Sequence, residues 1–201
     1  MELKNLFKNI LKNKLLLTVF VLIGGIFCLF YTLLPSKYYA TGSFLITRKV
    51  NPAEKDFFTY EGYYGQQTAL SFTKTVAALF ESEDVFNRAL KKMNINIDET
   101  SLRKLSKKIR VTNPGPQLVT LQIKENTQSN AVKNWEAVSE SAIEITNEAN
   151  KNGDSLLGIS KLSAEPIVKG QYKPVALMVL SGMVAGFCIY VVFFYLKEYI
   201  K

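Results

Sequence analysis

Residues 15–34 read LLLTVFVLIGGIFCLFYTLL and residues 175–196 read VALMVLSGMVAGFCIYVVFFYL; neither run contains a charge. At 1.5 Å rise per residue, a helix of about twenty residues covers about 30 Å, the thickness of a bilayer's hydrocarbon core. The competing reading of the first run is a cleaved signal peptide, whose apolar region covers about 7–15 residues before a small-x-small site. This run is longer and leaves through Pro35-Ser36-Lys37, so an uncleaved anchor is expected. For the second run the competitor is a buried soluble helix, which so long an uncharged stretch disfavours. Two membrane spans are the expectation.

Lysines set the expected orientation. Lys4, Lys8, Lys12 and Lys14 precede the first span, and Lys197 and Lys201 follow the second. Basic flanks stay in the cytoplasm, a rule that governs loops of up to about 60 residues. The lysine-rich segment between the spans is longer than that and does not overturn the assignment. The chain is thus divided into a basic cytoplasmic N-terminus (1–14), a first span (15–35), an extracytoplasmic domain (36–173), a second span (174–196) and a short cytoplasmic tail (197–201). The expected location is the cell membrane.

Composition narrows the chemistry. There is no histidine, and the two cysteines, Cys28 and Cys188, fall inside the apolar runs. The middle domain therefore lacks the usual general base, the commonest zinc ligand and any thiol nucleophile. No G-x-x-x-x-G-K-[ST] phosphate loop occurs. An enzyme is not expected, and neither is a cofactor or a metal. The net charge of +8 invites a nucleic-acid reading. Beside two spans, anionic lipid head groups or an anionic glycan are the better partners.

Between the spans, 38–50 reads as a strand rich in β-branched and aromatic residues. A connector follows, tyrosine-rich through Tyr64. Ala69, Phe72, Val76 and Phe80 recur at helical spacing, Ser82 is placed to cap a second helix, and Asp98 or Thr100 a third. A strand at 110–113 leads through Pro114-Gly115-Pro116 to an alternating strand at 118–124. Thr127 is placed to cap a helix to about Asn150, with a heptad seam of Ala131, Trp135, Val138, Ala142, Ile145 and Ala149. A returning strand is read at 156–162. The expected fold class is α+β: two transmembrane helices flanking a small mixed sheet packed with helices. The first and last strands are expected to pair, because both ends of the domain return to one membrane face.

The chain resembles the Wzz-type chain-length determinants, or polysaccharide co-polymerases, in its compact two-span form without a fused kinase. The resemblance rests on the lysine-flanked first span, the strand Tyr39-Ala40-Thr41-Gly42-Ser43-Phe44-Leu45-Ile46, and the broken helical stretch from Thr68 to Leu90. It also rests on the exit motif Ser163-Ala164-Glu165-Pro166 with Lys173-Pro174 running into a glycine-containing span. The family's exit motif usually carries one more proline, where Lys169-Gly170-Gln171 stands here. Compact members often serve a tyrosine autokinase through a cytoplasmic tail, and five residues follow Leu196. The resemblance implies a non-enzymatic homo-oligomer beside a polysaccharide polymerase or transporter, with a separate tyrosine autokinase as a further partner. It would regulate chain length, polymerisation or export of a surface polysaccharide. A two-span receptor or adaptor is the alternative.

Three groups of residues are candidate sites. Gly182 and Gly186, with Gly24 and Gly25 on the first span, can let helix backbones approach closely; the partner of each stripe is open. Arg88, Lys91, Lys92, Arg103, Lys104, Lys107, Lys108 and Arg110 form a candidate anionic-ligand patch, the alternative being a solvated face of two helices. Ala164, Pro166, Lys173 and Pro174 are the exit motif. Tyr60, Tyr63 and Tyr64 are read as packing or membrane-interface residues in preference to a carbohydrate platform. Glu136, Glu140, Glu144 and Glu148 are read as a solvated stripe opposite the seam. Lys4, Lys8 and Lys12 suit either an interfacial helix on anionic lipid or an orientation signal.

Overall fold

A computed structural model describes residues 13–48, 60–151 and 153–199. The expectations placed on Lys4, Lys8, Lys12, Asn51-Pro52, Asn152, Lys201 and the side chain of Tyr60 lie outside the described residues. The chain forms two compact units: the pair of long apolar helices with their flanks, and the segment Lys37–Gln171.

The helical pair consists of α1, Lys14–Leu33, and α6, Val175–Tyr199. Both are long and apolar enough to cross a bilayer. Their surfaces carry exposed Leu15, Phe27, Leu33, Leu177, Leu180 and Phe193, as lipid-facing helices do. Pro174 accepts from the Met178 amide at 3.0 Å and so stands where a missing N–H costs least, at the start of α6.

Lys37–Gln171 is an α+β domain in which every strand pairing is antiparallel. Strand β1 (Tyr38–Arg48) is followed by helices α2 (Tyr60–Phe80), α3 (Glu83–Lys92) and α4 (Glu99–Ser106). Then come β2 (Ile109–Gly115), β3 (Leu118–Glu125), α5 (Gln128–Lys151), β4 (Leu157–Lys161) and β5 (Ile167–Gly170). The sheet order is β2-β3-β1-β4, with β5 also on β1. The expected mixed sheet is therefore corrected. The crossover from β3 through α5 to β4 does make two strands run the same way, but β1 lies between them and pairs antiparallel with each. No parallel ladder arises among the described residues. The expected pairing of first and last strands is present: Tyr38 lies opposite Gly170, and the Gln171 amide donates to the Lys37 carbonyl at 2.7 Å.

One face of the sheet is the core. Ala40, Phe44 and Ile46 of β1 and Val119, Leu121 and Ile123 of β3 are fully buried, the period-2 set expected of a half-buried sheet. Phe44 sits between Phe80 of α2, ring centroids 4.8 Å apart, and Trp135 of α5 at 5.6 Å. Burying such a side chain stabilises by about 1.5–3 kcal/mol. Helix starts follow the expected caps: Ser82 accepts from Val85, Asp98 from Ser101 and Thr127 from Asn130.

Three local expectations are corrected. The tyrosine-rich segment is not a connector: α2 already begins at Tyr60, and Gly65 stands on it where a Cβ would come 3.3 Å from the Arg48 guanidinium. The heptad seam holds through Ala142 and then drifts, so that Thr146 and Asn150 are buried while Ala149 is exposed. A straight helix drifts about 20° per heptad, and Asn150 gains a partner by the shift, donating to the Leu157 carbonyl at 3.0 Å. Finally, β5 forms within the presumed exit motif. Lys169 and Gly170 stand in a ladder there, at a position where a proline would remove an amide donor.

Candidate functional site

The two apolar helices cross through glycine. A Cβ on Gly182 would stand 2.5 Å from the Gly24 carbonyl and 2.7 Å from Cys28 Sγ, and one on Gly24 would fall 3.1 Å from Gly186 Cα. A Cβ on Gly186 would stand 3.1 Å from the Phe20 carbonyl carbon. Gly25 faces Met183, whose Cγ is 3.2 Å from its Cβ position. The partner of the Gly182/Gly186 stripe is thus the first helix of the same chain. Phe20 closes the crossing against Tyr190 at 5.8 Å and Phe193 at 5.7 Å. Lys173 Nζ donates to the Leu34 carbonyl and lies 5.7 Å above the Tyr31 ring.

The eight-residue basic patch is divided by its partners. Arg88 forms a two-pronged ion pair with Glu148 at 2.7 and 2.9 Å. Lys92 meets Glu144 at 2.7 Å and Glu140 at 3.2 Å. Glu140, Glu144 and Glu148, three of the four glutamates read as a solvated stripe, therefore clamp α5 to α3. Their chemistry is structural: the Arg88 hydrogen bond holds Glu148 below the usual carboxylate range. At Lys92 burial opposes the charge, but hydrogen bonds to Glu144 and Glu140 outweigh it and hold the ammonium above its ordinary value. Lys108 donates at 2.7 Å to buried Glu125, which Asn134 also contacts. Lys91, Arg103, Lys104, Lys107 and Arg110 remain exposed. Arg103, Lys104 and Lys107 line a shallow hollow on α4 together with Glu99 and Thr100.

The exit-motif residues separate. Pro166 is buried in the α+β domain and Ala164 is exposed beside it, whereas Lys173 and Pro174 belong to the helical pair. Tyr63 and Tyr64 are exposed on α2 with ring centroids 5.9 Å apart.

One surface was not singled out from the sequence. The strand positions that alternate with the core, Tyr39, Thr41 and Ser43 of β1 and Thr120, Gln122 and Lys124 of β3, form the sheet's second face. The buried strand residues Ala40, Phe44, Ile46, Val119, Leu121 and Ile123 lie on the other side. Register adds Arg110 and Thr112 from β2, Ser160 from β4, and Ile167 and Lys169 from β5. The Ser43 and Thr120 hydroxyls are 2.8 Å apart, and Gln122 donates to Thr41 at 3.2 Å. Lys124 Nζ stands 5.8 Å over the Tyr39 ring. The signal was present in the alternation of YATGSF and VTLQIK, which marks a polar face as clearly as an apolar one.

Among the described residues no group of three or more His, Cys, Asp and Glu is placed to hold a metal ion. Comparison with protein-family models and with curated proteins finds no match.

Proposed function

We propose that this protein is a membrane scaffold of the polysaccharide co-polymerase type. It regulates chain length, polymerisation or export of a surface polysaccharide by shape and contact, without bond-making chemistry. In this reading α1 and α6 span the cell membrane, both termini are cytoplasmic, and the α+β domain stands outside as part of a homo-oligomer beside a polymerase or transporter.

The observation that carries the reading is the β1–β5 pairing. It joins the two ends of the α+β domain in one sheet, so a module tethered at both ends by apolar helices leaves the bilayer and returns to it as a single folded unit. The glycine crossing of α1 and α6 supports it, since it occupies the small-residue stripe within one chain. Contacts between copies then fall to the α+β domain and the outer helix surfaces.

Deleting the gene is expected to change the length distribution of a surface polysaccharide, read on a gel of extracted glycan. An unchanged distribution counts against the scaffold. Native mass in nanodiscs is the second measurement: a large closed assembly supports the scaffold, and a stable monomer favours a two-span receptor or adaptor.

A further inference from the structure

We propose that the row Lys124–Tyr39–Lys169 on the second face of the sheet is a binding site for the phosphodiester head groups of anionic lipids. The inference rests on reading α1 and α6 as membrane spans, and it does not depend on any role in polysaccharide assembly.

Register builds the row. Tyr39 lies opposite Lys124 of β3 on one side and Lys169 of β5 on the other. Three side chains thus stand abreast on one face, about 5 Å from strand to strand. Both lysines are exposed. Arg110, on the next row through its pairing with Gln122, adds a third cation. Among the described residues the strand positions of this face include no carboxylate: they carry the hydroxyls of Thr41, Ser43, Thr112, Thr120 and Ser160, the Gln122 amide and Ile167, with Leu45 and Leu118 farther along. The face contrasts with α3, where Arg88 and Lys92 are neutralised by glutamates.

Three independent features select a lipid phosphate over other anions. The first is charge complementarity: ammonium groups that no carboxylate among the described residues neutralises attract the negative surface of an anionic leaflet. The second is the chain itself. Tyr39 comes six residues after Leu33, the last residue of α1, and Lys169 comes six residues before Val175, the first of α6. Six residues of chain reach at most about 20 Å, so only short segments of sequence separate the row from each apolar helix. The third is composition: a tyrosine between lysines is the amphipathic pairing found at membrane–water interfaces. Lys124 already rests over the Tyr39 ring, which leaves its ammonium directed by an apolar surface and free to meet a phosphate oxygen.

The test uses the full chain in nanodiscs of phosphatidylcholine alone or mixed with phosphatidylglycerol, with lipid retained per protein read by native mass spectrometry. The wild type is expected to retain phosphatidylglycerol in preference to phosphatidylcholine. The double variant Lys124→Gln/Lys169→Gln is expected to lose that preference, by roughly fivefold for each lysine near the surface. Lys74→Gln/Lys133→Gln, two exposed lysines of α2 and α5, is the charge-matched control and is expected to retain lipid as the wild type does. Emission of Trp135, the sole tryptophan, reports that each variant is folded. Equal retention by the wild type and the first double variant overturns the site. An equal loss in both double variants also overturns it, because retention would then follow net charge alone. Full competition by inorganic phosphate overturns the assignment to a lipid head group. A chain that fails to enter nanodiscs refutes the spans themselves, an outcome distinct from a chain that enters and shows no lipid preference.

Discussion

The indole of Trp135 rests on Gly42, with Cε2 2.8 Å from the position a Cβ would take, and its Nε1–H donates to the Leu121 carbonyl at 3.2 Å. Helix α5 and the central strand are thus held together by a residue pair in which one partner has no side chain. Gly42→Ala is expected to destabilise the domain by about 1–3 kcal/mol through overpacking, and Trp135→Ala by about 3–5 kcal/mol through the cavity it leaves. Urea unfolding of the full chain in detergent, followed by circular dichroism, reads both. A Gly42→Ala midpoint equal to that of the wild type would show that the indole can move aside.

The glycine crossing makes a second prediction with its own control. Gly182→Leu drives a side chain into the Gly24 carbonyl and the Cys28 side chain of α1. It should weaken the helix pair by about 1–3 kcal/mol or more. Ala185→Leu lies on an exposed stretch of α6 and should change little. Comparing the two in an SDS-titration unfolding assay distinguishes a specific crossing from general apolar bulk: equal effects would refute the crossing.

Acid should loosen the domain. The carboxylates of Glu148 and Asp154 are held below their ordinary values of 4.5 and 3.8, chiefly by hydrogen bonds from Arg88 and Arg48 respectively. For such groups the stabilisation is fully present above the unfolded-state value and is lost as pH falls through the lowered folded-state value. The unfolding midpoint is expected to be level from neutral pH to about pH 5 and to fall below it. Arg88→Gln and Arg48→Gln together should flatten that acid limb. An unchanged limb in the double variant would assign it to other carboxylates.

Sidedness can be read with cysteine chemistry. In a background of Cys28→Ser and Cys188→Ser, Ser106→Cys and Ser155→Cys place thiols at exposed positions of the α+β domain. A membrane-impermeant maleimide should label both on intact cells. Labelling only after lysis would reverse the topology.

What was legible in the sequence was what local chemistry decides. The apolar runs give α1 and α6, the β-branched stretch gives β1, and Ser82, Asp98 and Thr127 start helices because each offers an oxygen to an otherwise orphaned amide. What was not legible depends on neighbours distant in sequence. Gly62 and Gly65 look like loop residues until Arg48 is seen to lie against Gly65. The drift from Ile145 and Ala149 to Thr146 and Asn150 follows from helix twist and from the Leu157 carbonyl. Strand β5 has only four residues and exists because β1 offers it an edge. The ion pairs of Arg88 and Lys92 join residues 48 to 60 positions apart, beyond the reach of any local pattern.

The central position of β1 has a consequence for how the chain is made. Its partners begin at Leu118, Leu157 and Ile167, so the strand leaves the ribosome long before anything exists to complete its hydrogen bonds. Such distant pairings carry a large loop-closure cost and fold slowly. Assembly of the sheet therefore waits until the chain through Gly170 has been made, and a chain truncated before Ile167 would leave one edge of β1, from Tyr38 to Thr41, as an open template for aggregation.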